Sequence, residues 1–148
     1  MAQTKHEYSA GGIVYKNQNG QRMWLLIQHI EGHWGFPKGH VGDTIKGENP
    51  KQAALREVKE ETNIQAKIVD CPPFVSTYFF RHGGNLFRKQ VTYFLMSYEQ
   101  GEIDVDTNEI LQGRFVPTEE VANVLTYKND KKIFENVKEM LKSYQLHS

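Results

Sequence analysis

Apolar runs and polar turns alternate over the first quarter of the chain. Residues Tyr8–Tyr15 (YSAGGIVY) and Met23–His29 (MWLLIQH) have the composition of short strands. The segment between them, Asn17–Gln21, contains an Asn-Gly pair that is typical of a hairpin turn. The pattern predicts a β-hairpin, and the glycine pair in its first strand predicts a close approach by a neighbouring element. The glycine-dense segment Glu31–Gly47 shows no periodicity and is predicted to be a long, functional loop.

The strongest helix signal in the chain covers Pro50–Thr62. Asn49 is a favourable N-cap, Pro50 suits the first helical position, and Gln52 stands where a capping box needs Glu or Gln. Small and apolar residues within the segment form a stripe at helical spacing. Asn63 follows directly and tolerates the left-handed conformation that ends many helices. The pattern therefore predicts a helix that is bounded at both ends.

The second half of the chain begins with aromatic and alternating runs that predict strands. These strands cover Ala66–Tyr78 and Lys89–Tyr98, with a turn at His82–Asn85 (HGGN) between them. Phe115–Pro117 is predicted to be a short strand end.

Two helices are predicted after these strands. Thr118 begins a brief helix with two acidic residues in its first turn, and the tail from Lys131 repeats apolar residues at helical spacing. This order of elements predicts an α+β fold with mixed α/β layers, in which helices cover a mixed sheet. The apolar positions of the last helix are Ile133, Phe134, Val137, Met140, Leu141 and Tyr144.

The segment most indicative of chemistry is the acidic run within the first helix. Glu57, Glu60 and Glu61 are spaced so that their carboxylates leave one face of a helix together. Like charges so placed repel one another, and a hard divalent cation such as Mg²⁺ offsets that repulsion. Arg56 can hold Glu48 or Glu60 and keep the carboxylates oriented. Taken alone, the run favours a solvated helix face, and only its sequence context reverses that interpretation.

Composition narrows the functional classes. The 148 residues suit one domain covering 1–148, and 18 basic residues balance 18 acidic ones, so no global field favours nucleic acid or a membrane surface. The single cysteine, Cys71, excludes an internal disulfide and is interpreted as a small buried hydrophobe. The first ten residues lack the pattern of a signal peptide. We expect a cytoplasmic protein without membrane spans, either a monomer or a homodimer.

A longer spaced pattern surrounds the acidic run and resembles the Nudix box. It reads Gly42, five residues, Glu48, seven residues, Arg56-Glu57-Val58, one residue, Glu60-Glu61, one residue, Asn63-Ile64. The final glycine of the family pattern is replaced by Asn63, which also adopts the left-handed conformation. The resemblance implies the Nudix fold, an α/β/α sandwich with a mixed central sheet.

The run Trp34–His40 (WGFPKGH) resembles the segment before the helix in diadenosine tetraphosphate hydrolases of bacterial and archaeal type. In those relatives the glycine after Pro-Lys is itself the first glycine of the box, which corresponds to Gly39. By that alignment, which we favour over one at Gly42, the loop carries three extra residues around Gly42–Lys46. The resemblance then implies that the Lys38 carbonyl is a backbone metal ligand.

The family resemblance also implies roles for the carboxylates. Glu57, Glu60 and Glu61 bind catalytic Mg²⁺, for which Mn²⁺ can substitute, and Glu109 from a late loop acts as a further ligand or orients water. Arg56 and Glu48 position these groups. Without the resemblance, Glu109 would be interpreted as a surface residue.

Similarity to the diadenosine tetraphosphate hydrolases extends from about Tyr8 to about Tyr144, and it implies asymmetric cleavage of that nucleotide to ATP and AMP. The expected phosphate contacts are Lys38, His40 and Lys89, and the expected base contacts are Tyr78, Tyr93 and Tyr127. Core packing is at least as well supported for Tyr93, and a loop role is equally well supported for Tyr127. The alternative for His40 is that it caps a turn.

Three other interpretations of the sequence remain open. The substrate can be the 5′-triphosphate end of RNA or an oxidised nucleoside triphosphate, and the segment around Glu109 also resembles RNA pyrophosphohydrolases. A nucleotide-binding module without catalysis is disfavoured, because such domains normally lose a box glutamate. A structural domain with a solvated acidic helix is the third.

Overall fold

One mixed β-sheet organises the chain, and helices cover both of its faces. The computed structural model describes residues 3–42 and 46–144. Its elements in chain order are β1 (Thr4–Gln18), β2 (Gln21–His29), β3 (Trp34–Gly35), β4 (Lys38–His40), α1 (Pro50–Thr62), β5 (Gln65–Ile68), β6 (Phe74–His82), β7 (Asn85–Gln100), β8 (Ile110–Pro117), α2 (Thr118–Val124) and α3 (Lys128–Tyr144).

The sheet is ordered β3-β2-β1-β7-β5, with β4 beside β1, β6 beside β7, and β8 beside β2. β1 and β7 run parallel over twelve residue pairs from Thr4↔Leu86 to Tyr15↔Ser97, whereas the other pairings are antiparallel. The predicted α+β class with a mixed sheet and helices on its faces is confirmed. Among the described helices, none is long and apolar enough to cross a membrane.

Each face of the sheet has its own hydrophobic core. On one face α1 packs through Ala53, Ala54 and Val58, and on the other α2 and α3 pack against side chains that include Trp24 and Tyr93. The sheet is thus the middle layer of an α/β/α sandwich. The close approach predicted at the glycine pair is present, because a Cβ at Gly12 would lie 2.6 Å from Cγ2 of Val58.

Both tight turns are set by residues that accept positive φ. Asn19 (φ 52°) and Gly20 (φ 79°) connect β1 to β2 as a two-residue loop, which confirms the predicted hairpin. Gly83 (φ 59°) and Gly84 (φ 80°) do the same between β6 and β7. β7 of this second hairpin is also paired with β1, as far as Thr4↔Leu86 near the turn.

Helix α1 has the predicted bounds and the predicted caps. The Asn49 side chain accepts a hydrogen bond from the Gln52 amide at 2.8 Å, and the Gln52 side chain accepts one from the Asn49 amide at 3.0 Å. Asn63 ends the helix at φ 67°. This reciprocal capping fixes the start of the helix, and hence the direction in which its glutamates point.

Several predicted boundaries are wrong. The single strand expected over Ala66–Tyr78 is two strands, β5 and β6, because Pro72 and Pro73 lie between them and cannot donate to a ladder. The predicted loop Glu31–Gly47 contains the short strands β3 and β4, and α3 begins before Lys131. Of the extra loop residues expected around Gly42–Lys46, residues 43–45 lie outside the described part of the chain.

Candidate active site

Arg56 is the centre of a carboxylate cluster on α1. Its Nε and Nη2 atoms donate to the two oxygens of Glu48 at 2.6 and 2.9 Å. Its Nη1 donates both to Glu57 Oε1 at 2.7 Å and to Glu60 Oε2 at 3.0 Å. Nη2 also donates to the His40 carbonyl at 3.2 Å. One guanidinium therefore orients three glutamates and fixes α1 to β4, and the Glu48 side chain beneath it is only 1% exposed.

Glu61 lies on the same helix but does not share this arginine. Its residue is 7% exposed, and its Oε1 accepts a hydrogen bond from the Lys38 backbone amide at 2.9 Å. Burial raises the pKa of Glu61 to about 8, and the negative charges of Glu57 and Glu109 act in the same direction. Burial also raises the pKa of Glu57, against the opposing effect of Arg56. Two buried carboxyl groups with raised pKa values indicate a site with too little positive charge.

Glu109 is distant from α1 in sequence, but its charge acts on Glu61 in the folded chain. It lies in the turn before β8, is exposed, and its carbonyl accepts a hydrogen bond from the Ile30 amide at 2.9 Å. Its charge contributes to the raised pKa of Glu61. A late-loop glutamate therefore lies within electrostatic range of the acidic helix, as the predicted ligand role requires.

Gly39 and Gly42 have different structural roles. A Cβ added at Gly39 would overlap the carboxylate of Glu57, so the absent side chain makes room for that group. Gly42 has φ +83° with open space around its Cα, and its amide donates to Glu48 Oε1 at 3.2 Å. Gly39 is thus the glycine that the acidic helix needs, which supports the alignment that we favour. The proposed metal role of the Lys38 carbonyl stays a prediction.

We expect Gly39→Ala to displace the Glu57 carboxylate and lower hydrolytic activity at least tenfold. Overpacking of a tight site typically costs about 1–3 kcal/mol, so thermal denaturation should also show a lower melting temperature. Gly113→Ala is the matched control, because it lies on β8 and its added Cβ would meet only aliphatic carbons. Equal losses of activity in the two variants would contradict the assigned role of Gly39.

The donor set of this cluster fits a hard divalent cation. All of its side-chain groups that could bind a metal are carboxylates. The cluster has one arginine and five glutamates, counting Glu48 and Glu109. Within the described ranges, however, no three acidic or histidine groups already converge as a metal cage. The hydrogen bonds explain this, since Arg56 draws Glu57 and Glu60 to itself while Glu61 faces the Lys38 amide. To bind one cation together, the side chains of Glu57, Glu60 and Glu61 would have to rotate toward a common point.

A cavity of about 470 Å³ opens on the α3 face of the sheet beside the cluster. Four predicted substrate residues line it: Lys38, Tyr78, Tyr93 and Tyr127. Tyr127 is 52% exposed, whereas Tyr93 is 1% exposed and packs edge-on against Phe36. The Tyr93 ring is therefore part of the core at the base of the cavity, in keeping with the alternative stated for it, and only Tyr78 and Tyr127 are available to stack on a base.

Three further lining residues were not nominated from the sequence. The rings of His29 and His33 stack with centroids 4.2 Å apart, and His33 contacts Tyr127 at 5.4 Å. Burial lowers the pKa of His29 to about 4, so this imidazole is neutral near pH 7. Asp130, which is 9% exposed, accepts a hydrogen bond from Tyr93. Asp130 directly precedes the helix predicted from Lys131, and no role is predicted for it from the sequence.

His40 and Lys89 lie together next to the cavity, outside its lining residues. Lys89 Nζ is 3.4 Å from His40 Nε2, and that nitrogen is 3.2 Å from Glu7 Oε2. Lys89 is only 8% exposed, whereas the His40 side chain is 46% exposed. Of the two, His40 is therefore the better placed to meet a phosphate.

Comparisons with known proteins agree with this geometry. Residues 5–137 match the family model of the NUDIX domain. The chain is 31% identical over 149 residues to the putative mutator protein MutT4 of Mycobacterium tuberculosis (strain CDC 1551 / Oshkosh), covering 96% of this chain and 58% of that protein. It is 45% identical over 58 residues to the asymmetrical bis(5′-nucleosyl)-tetraphosphatase of Caenorhabditis elegans, covering 38% and 40% of the two.

The fold also matches a crystal structure of a C. elegans Ap4A hydrolase binary complex. The two are 26% identical with a TM-score of 0.76, over 93% of this chain and 98% of that one. By contrast, the chain spans 58%, 43% and 40% of the length of three curated relatives.

Proposed function

The chain belongs to the Nudix family, and from this premise we propose that it hydrolyses a phosphoanhydride bond in a nucleoside polyphosphate with a divalent cation. The substrate we propose is diadenosine tetraphosphate, cleaved asymmetrically to ATP and AMP. Attack by water on one phosphorus forms a new P–O bond, and the anhydride P–O bond that breaks releases the second nucleotide.

One residue carries the proposal by linking the acidic cluster to the cavity. The Lys38 amide donates to Glu61 at 2.9 Å, and the same residue lines the cavity. A nucleotide with its base in the cavity would therefore bring its phosphates to the acidic helix. The cavity volume of about 470 Å³ is in the range of sites for small ligands.

The chemistry follows from the side chains around that link. Glu57, Glu60, Glu61 and Glu109, with the Lys38 carbonyl, would hold Mg²⁺ or Mn²⁺. When bound, such a cation offsets phosphate charge and lowers the pKa of water. Arg56 keeps Glu57 and Glu60 oriented toward one another. Glu61 has a pKa of about 8 without a cation, so it must give up a proton before its carboxylate can act near neutral pH.

Recognition of the base is assigned to the aromatic rings. Tyr78 and Tyr127 line the cavity and can stack on adenine, and His33 supports Tyr127 from below. We assign the ammonium group of Lys38 to the phosphates next to the base, because Lys38 lines the cavity and its amide contacts Glu61.

The proposal is tested with a substrate panel, measured by chromatographic separation of the products. Diadenosine tetraphosphate, RNA with a 5′-triphosphate, and an oxidised deoxyguanosine triphosphate are each incubated with Mg²⁺, or with EDTA as control. We expect ATP and AMP in equal amounts from the first, and no products in EDTA. Production of two ADP molecules would contradict asymmetric cleavage. Preference for RNA ends, an alternative based on the resemblance of the segment around Glu109 to RNA pyrophosphohydrolases, would replace the proposed substrate.

A further inference from the structure

An aromatic surface extends from the cavity toward the tip of the β6–β7 hairpin. Side chains of alternate strand residues share one face of a sheet, so Tyr78 in the cavity shares a face with Phe80 two residues along β6. In the antiparallel register Phe80 is opposite Phe87, and Tyr78 is opposite Lys89. From the cavity outward, the face therefore presents first a ring beside a cation, Tyr78 and Lys89, and then a pair of rings, Phe80 and Phe87.

The second pair of rings is stacked. The centroids of Phe80 and Phe87 are 5.0 Å apart with an interplanar angle of 5°, and His82 lies 6.5 Å from Phe87. The Tyr78 and Phe80 centroids are 6.3 Å apart, so the series is continuous with the cavity. We define Phe80 and Phe87 as the hairpin platform.

The hydrophobic cores do not account for the hairpin platform. Phe80 is 36% exposed and Phe87 is partly buried, and across the described residues neither belongs to either core cluster. Solvent-exposed aromatic pairs next to a ligand cavity are typical of recognition surfaces. Phe79, on the opposite face of the same strand, is 59% exposed and lies opposite Arg88, and within the described part of the chain it stacks on no other ring.

A chain of contacts joins the acidic cluster to the hairpin platform. Arg56 donates to the His40 carbonyl at 3.2 Å, and the His40 ring lies 3.4 Å from Lys89 Nζ. Phe87 of the platform lies two residues before Lys89 on β7, a distance of about 7 Å along a strand. A phosphate chain that leaves the acidic cluster past His40 would therefore deliver its distal end to Phe87.

We propose that the hairpin platform stacks on the second nucleobase of a dinucleoside polyphosphate whose first base occupies the cavity. The inference rests on the proposed function and assigns the part of the substrate that the cavity does not hold. Stacking on an aromatic side chain is tolerant of base identity, because every base has a π face. The platform would thus select for the presence of a second nucleoside, whichever base it carries.

The test compares diadenosine tetraphosphate with adenosine 5′-tetraphosphate, which lacks the second nucleoside. We expect Phe80→Leu and Phe87→Leu to lower the ratio of kcat/KM for the first substrate to that for the second about tenfold. Leucine keeps the position apolar and removes the π face. Phe80→Trp should keep the ratio at or above its original value. Phe79→Leu is the matched control, with the same change on the opposite face of β6, and should not alter the ratio.

The outcomes separate the two proposals. If the unaltered protein cleaves neither nucleotide with Mg²⁺, the proposed function is wrong. If it cleaves both and the leucine variants leave the ratio as it was, or if Phe79→Leu lowers it equally, only the platform is wrong. Gel filtration of Phe80→Leu completes the test: a change in particle mass with an unaltered ratio would assign these rings to contact with a second copy of the chain and overturn the inference.

Discussion

Replacing Glu61 with glutamine is expected to stabilise the cation-free protein while removing most of its hydrolytic activity. Glu61 is 7% exposed, and its carboxyl accepts one hydrogen bond from the Lys38 amide. Glutamine keeps the shape and an accepting oxygen but removes the charge. As a proposed metal ligand, Glu61 should contribute strongly to catalysis, and we expect kcat/KM to fall by about 10²- to 10³-fold.

The stability gain depends on pH, and its sign follows from the raised pKa. Glu61 has a pKa of about 8 in the folded protein, against an ordinary value of 4.5. The folded state therefore holds a proton that the unfolded chain releases, and stability falls as pH rises from about 4.5 through 8. The glutamine variant lacks this dependence. We expect its free energy of unfolding to exceed that of the parent by about 1–3 kcal/mol at pH 8.5, and to match it near pH 4.

Urea denaturation in EDTA at the two pH values measures this difference, and product release with Mg²⁺ measures the activity. Glu135→Gln on α3 is the control, because its carboxylate is 57% exposed in an ion pair with Lys138 and should affect neither quantity appreciably. A Glu61→Gln protein that is less stable than the parent at pH 8.5 would contradict the raised pKa. Retention of full activity would contradict the metal role.

The parts of this site that were predicted correctly are those encoded locally. The Asn49 cap, the Pro50 start and the Asn63 stop are all adjacent to α1 in sequence, and together they fix the face from which Glu57, Glu60 and Glu61 project. The proposed metal role of that face comes from the longer Nudix pattern around it, because the acidic spacing alone also fits a solvated helix face. The position of the acidic helix can therefore be predicted without any tertiary contact.

The cavity depends on tertiary contacts and was only partly predicted. His29 ends β2, Asp130 lies near the start of α3, and the fold brings both to the same cavity. No local pattern distinguishes them from a strand terminus and a helix-initial acidic residue. Tyr93 is predicted to be a base contact, but the alternating pattern of β7 does not reveal that Phe36 packs against its ring. The strand predicted at Phe115–Pro117 is too short for the same reason, because pairing with β2 sets the length of β8.

Arg56 is the side chain whose loss should do the most structural damage. Its guanidinium is 11% exposed and satisfies both oxygens of Glu48, whose side chain is 1% exposed. The hydrogen bonds from Arg56 hold the pKa of Glu48 below its usual value, despite the opposing effect of burial. Removing the arginine leaves a buried carboxylate facing Glu57 and Glu60 without compensation. Breaking such a buried pair from one side typically costs about 3–5 kcal/mol.

We therefore expect Arg56→Gln to lower the free energy of unfolding by about 3–5 kcal/mol at pH 7 and to abolish measurable hydrolysis, because Glu57 and Glu60 lose their common donor. The deficit should shrink as the pH falls, because without Arg56 burial raises the pKa of Glu48, and the protonated carboxyl no longer needs a cation. Adding Glu48→Gln to the variant should restore part of the stability but none of the activity, since it removes the unpaired charge without reorienting the remaining glutamates. Arg81→Gln, at an exposed position of β6, is the control. A stability loss that stays constant from pH 3 to pH 7 would show that Arg56 acts through packing alone, and not by holding Glu48 ionised.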